Sequence, residues 1–197
     1  MGNFGDYYKN LLAWEGHQPN GIELIAHWDI IDSQSIQEDF QQAVNASGIK
    51  LRAVPIRSGS SNQSVGNQVA SFFVTIINSH LQRYLIRDCG GQGYPDKNLI
   101  DKNSQKVFAF ELKATSLWNP SDSNRRVLTC SSKKLRERFS GSINHVLATC
   151  CYSENPEWRL IALRLDFIEP TTEVDVRLEA SVNHKSLSLG THNYILL

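Results

Sequence analysis

The sequence predicts a mixed α/β sheet with helices packed against it, built as one globular domain. Three observations carry that prediction. Val65, Val69, Phe72, Phe73, Ile76, Ile77 and Leu81 recur at helical spacing and mark a central helix. From Val107 to Lys113 the chain alternates as a strand does, with Phe108, Phe110 and Leu112 on one side and Glu111 and Lys113 on the other. Two further apolar runs, His145 to Tyr152 and Trp158 to Phe167, have the length and composition of strands.

A first helix is expected around Asp6 to Trp14. A second runs from Ser33 to Gly48, where Ile36, Phe40, Ala43 and Val44 share a stripe, Ser33 caps the start and Gly48 suits the end. Ile49, Leu51 and Ala53 alternate with Lys50 and Arg52, which predicts a short strand that Pro55 ends. A polar Ser/Gly loop, Arg57 to Gln63, leads to the central helix with Ser64 as its cap. Tyr84 to Cys89 reads as a strand, after which Gly90-Gly91-Gln92-Gly93 releases the chain into Tyr94-Pro95-Asp96. Leu99-Ile100 and Val107 to Lys113 flank a polar turn at Asp101 to Ser104 and form a hairpin. Thr115 to Cys130 is a long polar segment, and Ser131 to Ser140 a short basic helix. Beyond the two apolar runs, Val174, Val176 and Leu178 alternate with Asp175, Arg177 and Glu179 in one more strand.

Composition narrows the function. The 197 residues carry 20 Lys+Arg against 20 Asp+Glu, a formal charge of zero, which argues against a polybasic binder held mainly by phosphate attraction. A local basic groove remains compatible. The longest nearly unbroken apolar stretch, Val69 to Ile77, holds Ser71 and Thr75 and is far shorter than the ~20 residues of a membrane span. The start of the chain lacks a basic and then apolar leader, and Asp6 spoils the acyl-anchor pattern, so a cytoplasmic location is expected. Cys89, Cys130, Cys150 and Cys151 show no C-x-x-C spacing and are expected as buried thiols. His17, His27, His80 and His145 have no metal-ligand spacing, and no nucleophile elbow, P-loop or dinucleotide fingerprint is present.

The informative set is Tyr94-Pro95-Asp96 followed, on the far arm of the hairpin, by Glu111-Leu112-Lys113. If the hairpin turns near Asn103, Asp96 comes opposite the segment from Ala109 to Glu111, and two acids and a lysine converge. Two carboxylates held together repel, so one takes up a proton or both recruit a hard divalent cation. Such a cation offsets developing phosphorane charge and acidifies water, and a neighbouring lysine orients or deprotonates the attacking water. Hydrolysis of a phosphodiester follows. The alternative is a turn aspartate followed by an edge-strand Glu-Lys pair that points at solvent.

At these residues the sequence resembles the PD-(D/E)XK nuclease superfamily, and within it Type II restriction endonucleases of the PvuII-like group. The resemblance covers roughly the C-terminal half and closes at Gly190-Thr191. It implies a restriction-endonuclease-like core with a mixed five-stranded sheet flanked by helices. It also implies Mg²⁺ as cofactor, with Asp96, Glu111 and Leu112 in the metal set and Asp96, Glu111 and Lys113 catalytic. Tyr94 is a possible auxiliary. So is Gln68, which stands on the helix before the first core strand, where many members place an acid.

The segment after the catalytic lysine offers Asn119, Ser123, Asn124, Arg125 and Arg126, side-chain types that address base edges. The resemblance places base reading in this loop. Lys133 and Lys134 of the basic helix, with His184 and Lys185 near the C-terminus, suit phosphate contacts. The expected organisation is an N-terminal helical dimerisation segment (1–56), a catalytic core (57–170) and a C-terminal strand and DNA-contact segment (171–197). The function expected is cleavage of both strands of a short palindromic duplex by a homodimer in a prokaryotic cytoplasm. A methyltransferase would be its genetic partner, and the ends would be 5′-phosphate and 3′-hydroxyl. Two alternatives stay open: a structure-specific repair or recombination nuclease of the same superfamily, and a non-catalytic DNA-binding protein.

Overall fold

The computed structural model describes residues 2–18, 24–91, 94–116, 126–128, 132–139, 141–177, 181–183 and 193–196. Local chemistry sets the helix starts slightly earlier than their apolar stripes do. Asn3 caps α1 (Phe4–Trp14) by accepting from the Asp6 N–H, and Asp29, not Ser33, caps α2 (Ile30–Ser47) through the Ile31 N–H. Gly48, at φ 59°, ends α2 in the left-handed conformation. Ser61, not Ser64, caps α3 (Asn62–Asn78). The strand expected at Ile49 to Ala53 is instead a 3₁₀ turn, Ile49–Leu51. Its apparent alternation fails because only Ile49 is buried, whereas Leu51 is left exposed and has no partner strand to pack against.

The strands are β1 (Gly2–Asn3), β2 (Tyr84–Asp88), β3 (Lys97–Asp101), β4 (Val107–Thr115), β5 (Arg126–Leu128), β6 (His145–Ser153), β7 (Arg159–Ile168), β8 (Glu173–Arg177), β9 (Ser181–Asn183) and β10 (Asn193–Leu196). The main sheet has the order β10-β7-β6-β4-β3-β2. β2, β3, β4, β6 and β7 make a five-stranded mixed sheet, and β10 adds a sixth strand at the edge by antiparallel pairing with β7. β2, β3 and β4 form an antiparallel meander. α4 (Lys133–Arg138) lies in the connection that brings β6 parallel to β4, and β7 returns antiparallel, so the sheet is mixed. The late alternating segment, β8, joins a separate small sheet, β1-β8-β9-β5, rather than the main one.

Both faces of the main sheet are covered. On one, α2 and α3 bury Ile36, Phe40, Val69 and Phe73 against Phe108 and Phe110 of β4. On the other, α1 and α4 bury Phe4, Tyr8, Leu12 and Leu135 against Tyr94, Ala109 and Leu147. α1 and α2, both within the first 56 residues, supply the apolar cover for opposite faces of the same sheet. Among the described residues, no helix is long and apolar enough to cross a membrane. Cys89, Cys150 and Cys151 are buried thiols.

Three side chains, buried Asp39 and Asp101 and half-buried Asn78, lock these pieces. Asp39 of α2 accepts from the N–H groups of Gln82, Arg83 and Tyr84 at 2.9, 3.0 and 2.9 Å, fixing the entry to β2. Asn78 at the end of α3 accepts from the Ile86 N–H and donates to the Ile86 carbonyl. Asp101 takes two bonds from the Arg83 guanidinium and one from the Asn103 N–H. Burial alone would raise the Asp101 carboxyl, but these donors override it and hold the group at about 2.

Candidate active site

The hairpin register decides the site. Lys97 pairs with Phe110, so Asp96, one residue earlier, comes opposite Glu111. The Asp96 N–H donates to Glu111 Oε2 at 2.9 Å, and Lys113 Nζ stands 2.5 Å from Glu111 Oε1. The three residues are thus neighbours, with the backbone of Asp96, not its carboxylate, touching Glu111. Alternation along β4 puts Glu111 and Lys113 on the α1 face while Phe108, Phe110 and Leu112 enter the α2–α3 core.

The solvent-facing alternative is excluded by burial. β4 is central, and the Glu111 side chain is 2% exposed and that of Lys113 16% exposed. Desolvation raises the Glu111 carboxyl above its ordinary range, and the nearby Asp96 charge adds to this, against the lowering effect of Lys113. Burial works against charge on Lys113, but Glu111 and Asp96 together raise its pKa and keep it an ammonium. Asp96 itself is exposed and lines a cleft of about 780 Å³ between α3 and the β2–β4 meander, on the face opposite Glu111 and Lys113, which do not line it. Asn67, Ser71 and Lys97 line the same cleft.

Mg²⁺ takes one or two carboxylates and completes its octahedron with water and substrate oxygens. Asp96 and Glu111 are the donor types for that set, and the Glu111 carboxyl, raised chiefly by desolvation and further by the Asp96 charge, is a group whose charged form a cation would favour. Leu112 turns its side chain into the core, which leaves only its backbone to serve as a ligand. Among the described residues there is no cluster of three His, Cys, Asp or Glu side chains placed to hold a metal. A two-carboxylate site is what the described chain offers.

The other candidates divide. Tyr94 belongs to the site's floor: it is 2% exposed, and its hydroxyl donates to His145 Nδ1 at 2.7 Å. His145 Nε2 donates in turn to the Leu24 carbonyl at 3.0 Å, so the ring is the neutral tautomer. Complete burial lowers His145 to about 4. Gln68 is a correction. Its Oε1 accepts from the Arg57 N–H, and its Nε2 donates to Ser60 Oγ and the Ser64 carbonyl, so it fastens the 57–60 loop to α3. Asn67, its neighbour, faces the cleft instead.

Lys134 is a second correction. It is 7% exposed and its ammonium approaches the Gly91 carbonyl at 3.4 Å, bracing the turn before Tyr94. A short amphipathic helix must bury one side, and here Lys134 lies beside Leu135 on that side. Lys133 is open to solvent, 3.9 Å from Glu137. The base-reading candidates Asn119, Ser123, Asn124 and Arg125, and also His184 and Lys185, lie outside the described residues. Arg126 is described only by its backbone, which pairs with Asn183.

Sequence reasoning missed the polar row that extends the site across the sheet. Lys113 pairs with Thr149 and Thr149 with Arg164, while Glu111 pairs with Leu147 and Leu147 with Asp166. All stand on the α1 face. Arg164 and Asp166 are 1% and 6% exposed and joined by a 2.8 Å ion pair. The available signal was Arg-x-Asp inside an otherwise apolar strand, a spacing of two that sends both charges to one face. Glu15, the residue that follows α1 as its C-cap, was also missed. It accepts from the Ser132 N–H at 2.9 Å and ties α1 to the start of α4.

No protein-family model matches the chain, and no curated protein matches it. Among solved structures, it is similar to the restriction endonuclease BglI bound to its DNA recognition sequence. The TM-score is 0.30 at 10% identity, over 84% of this chain and 71% of that one. The case for the site therefore rests on its own geometry.

Proposed function

We propose that this protein is a Mg²⁺-dependent Type II restriction endonuclease of the PD-(D/E)XK superfamily, cutting both strands of a short palindromic duplex. The single observation that carries the reading is the convergence of Asp96, Glu111 and Lys113, which are separated in sequence and joined through the Asp96 N–H, the Glu111 carboxylate and the Lys113 ammonium. The helix, three strands, helix and two strands around them agree with the core that the resemblance implies.

Asp96, Glu111 and the Leu112 carbonyl would hold the ion. Mg²⁺ supplies, when bound, positive charge against the developing phosphorane and polarisation of water. Lys113 remains charged beside the two acids, so its part is to donate: it orients the attacking water and stabilises charge on the phosphoryl oxygens. Water attacks phosphorus in line as the bond to the 3′ oxygen breaks; the attacking water gives up a proton to solvent and the departing oxygen takes one up, leaving 5′-phosphate and 3′-hydroxyl ends. Tyr94 and His145 keep the Pro95-Asp96 turn in place.

A two-fold target suits two copies of the chain, one site per strand. Exposed Ile30 and Ile31 at the start of α2 provide apolar surface for a second copy. Lys133, with the 119–126 segment, His184 and Lys185, completes the DNA contacts in this reading, and a cognate methyltransferase protects the host DNA without forming a complex.

Incubation of the purified protein with plasmid and Mg²⁺ tests it. Discrete fragments are expected, and Asp96→Ala and Lys113→Ala should each abolish them. Intact plasmid across salt and metal conditions, or either variant cutting at the parent's rate, rejects the assignment. Cleavage confined to branched substrates would identify a structure-specific nuclease instead.

A further inference from the structure

Among the described residues, two hydroxyls beside the Glu111–Lys113 pair are buried without a hydrogen-bond partner. Tyr8 Oη comes from α1, on a residue 1% exposed, and Thr149 Oγ1 comes from β6, on a residue 0% exposed. Thr149 is the direct cross-strand neighbour of Lys113. The Tyr8 ring is held against Tyr94 and His145, with centroids 6.3 and 5.9 Å away, on the same face of the sheet as Glu111. Burial, with Tyr94, Tyr7 and Glu111 adding to it, raises the Tyr8 phenol far above its ordinary range, so it stays a proton donor.

An unpaired buried hydroxyl lowers stability, and a phenylalanine or a valine would fill the same space without that cost. Both hydroxyls flank a pair whose members are each other's principal partners in the arrangement seen here. The chemistry proposed above requires Lys113 to turn from Glu111 toward water and phosphate. A carboxylate released from an ammonium needs a donor, and an ammonium released from a carboxylate needs an acceptor. Tyr8 offers the first and Thr149 the second.

We propose that Tyr8 and Thr149 are positioning residues that receive Glu111 and Lys113 when their ion pair opens. The proposal rests on the reading of Asp96, Glu111 and Lys113 as the reacting groups. It makes α1 part of the active site, since its residue Tyr8 then completes the hydrogen bonding of a catalytic carboxylate.

The test uses Tyr8→Phe and Thr149→Val in the full chain, each measured for thermal midpoint and for single-turnover cleavage of plasmid at saturating Mg²⁺. Expected are midpoints at or above the parent's and rates about tenfold lower or more. A purely structural hydroxyl would not separate the two readouts in that direction. Parent-like rates in both variants, or a lowered midpoint in either, overturn the proposal. A parent that cuts no DNA defeats the nuclease reading separately. Mg²⁺ binding by calorimetry then decides the positioning role: weakened binding in the variants upholds it, and unchanged or absent binding overturns it.

Discussion

The two faces of the main sheet are built from the same strands yet solve opposite problems. Toward α2 and α3, β4 offers Phe108, Phe110, Leu112 and Ala114, and the facing helices return Phe40, Val69 and Phe73. Toward α1, the same strand offers Glu111 and Lys113, and the neighbouring strands add Thr149, Arg164 and Asp166. Two carboxylates sharpen the contrast. Asp101, packed by Arg83 near α2, is 1% exposed and held at about 2. Glu111 is 2% exposed and pushed upward. Asp101 has donors enough to outweigh its desolvation, whereas among the described residues Glu111 has Lys113 and the Asp96 N–H. A buried charge that is fully satisfied is structural, and one left short of partners is where a protein keeps reactivity.

The largest expected effect comes from exchanging the logic of the two faces. Phe110→Ala should cost about 3–5 kcal/mol in chemical denaturation, because it opens a cavity between β4 and Phe40. The double change Glu111→Gln with Lys113→Met removes the ion pair together and should leave stability equal or up to about 4 kcal/mol higher. Its cleavage rate should nonetheless fall by about 10³-fold or more. A double variant as unstable as Phe110→Ala would show that the α1 face is held together by its charges.

Acid titration probes the polar face next. His145 is neutral in the fold and lowered to about 4, while the unfolded chain protonates near 6.5. Below 6.5 the unfolded state binds the extra proton, so the stability contributed is complete above that pH and drains away as pH falls to about 4. The loss is about 3 kcal/mol, measured by urea unfolding at stepped pH. A flat profile across this window would mean that the ring carries a proton in the fold.

Asp101 gives a smaller effect at lower pH. Its carboxyl sits at about 2 in the fold against 3.8 ordinarily, so its contribution is present above about 3.8 and lost as pH drops through 2. That is about 2 kcal/mol. Asp101→Asn should remove a similar amount at neutral pH without the rate loss expected at Glu111. An equal loss of specific cleavage would place Asp101 with the active face.

Much of this was readable before any coordinates. The hairpin around Asn103 and the alternation in β4 together place Asp96 opposite Glu111, because a strand's period of two and a short polar turn leave little freedom of register. Helix stripes and Gly48 set the extents of α1, α2 and α3 to within a few residues. The errors have physical causes. Ile49 to Ala53 alternates but has no partner strand, and alternation without pairing does not make a sheet. Gln68 and Lys134 have residue types suited to ligands, yet one secures a loop and the other a turn, since the direction of a side chain on a helix depends on what packs against it. β10 is short and gains its place only by pairing with β7.

By itself, the sequence determined which residues could share a face and how far apart along the chain the acids and the lysine lie. Those follow from backbone periodicity, which is local. Only the tertiary structure decided that Glu111 is desolvated, that Tyr8 of α1 and His145 of β6 close around Tyr94, and that Arg164 stands two strands from Lys113. Burial and partner count arise from segments distant in sequence, and they set whether a carboxylate is a structural anchor or a poised group.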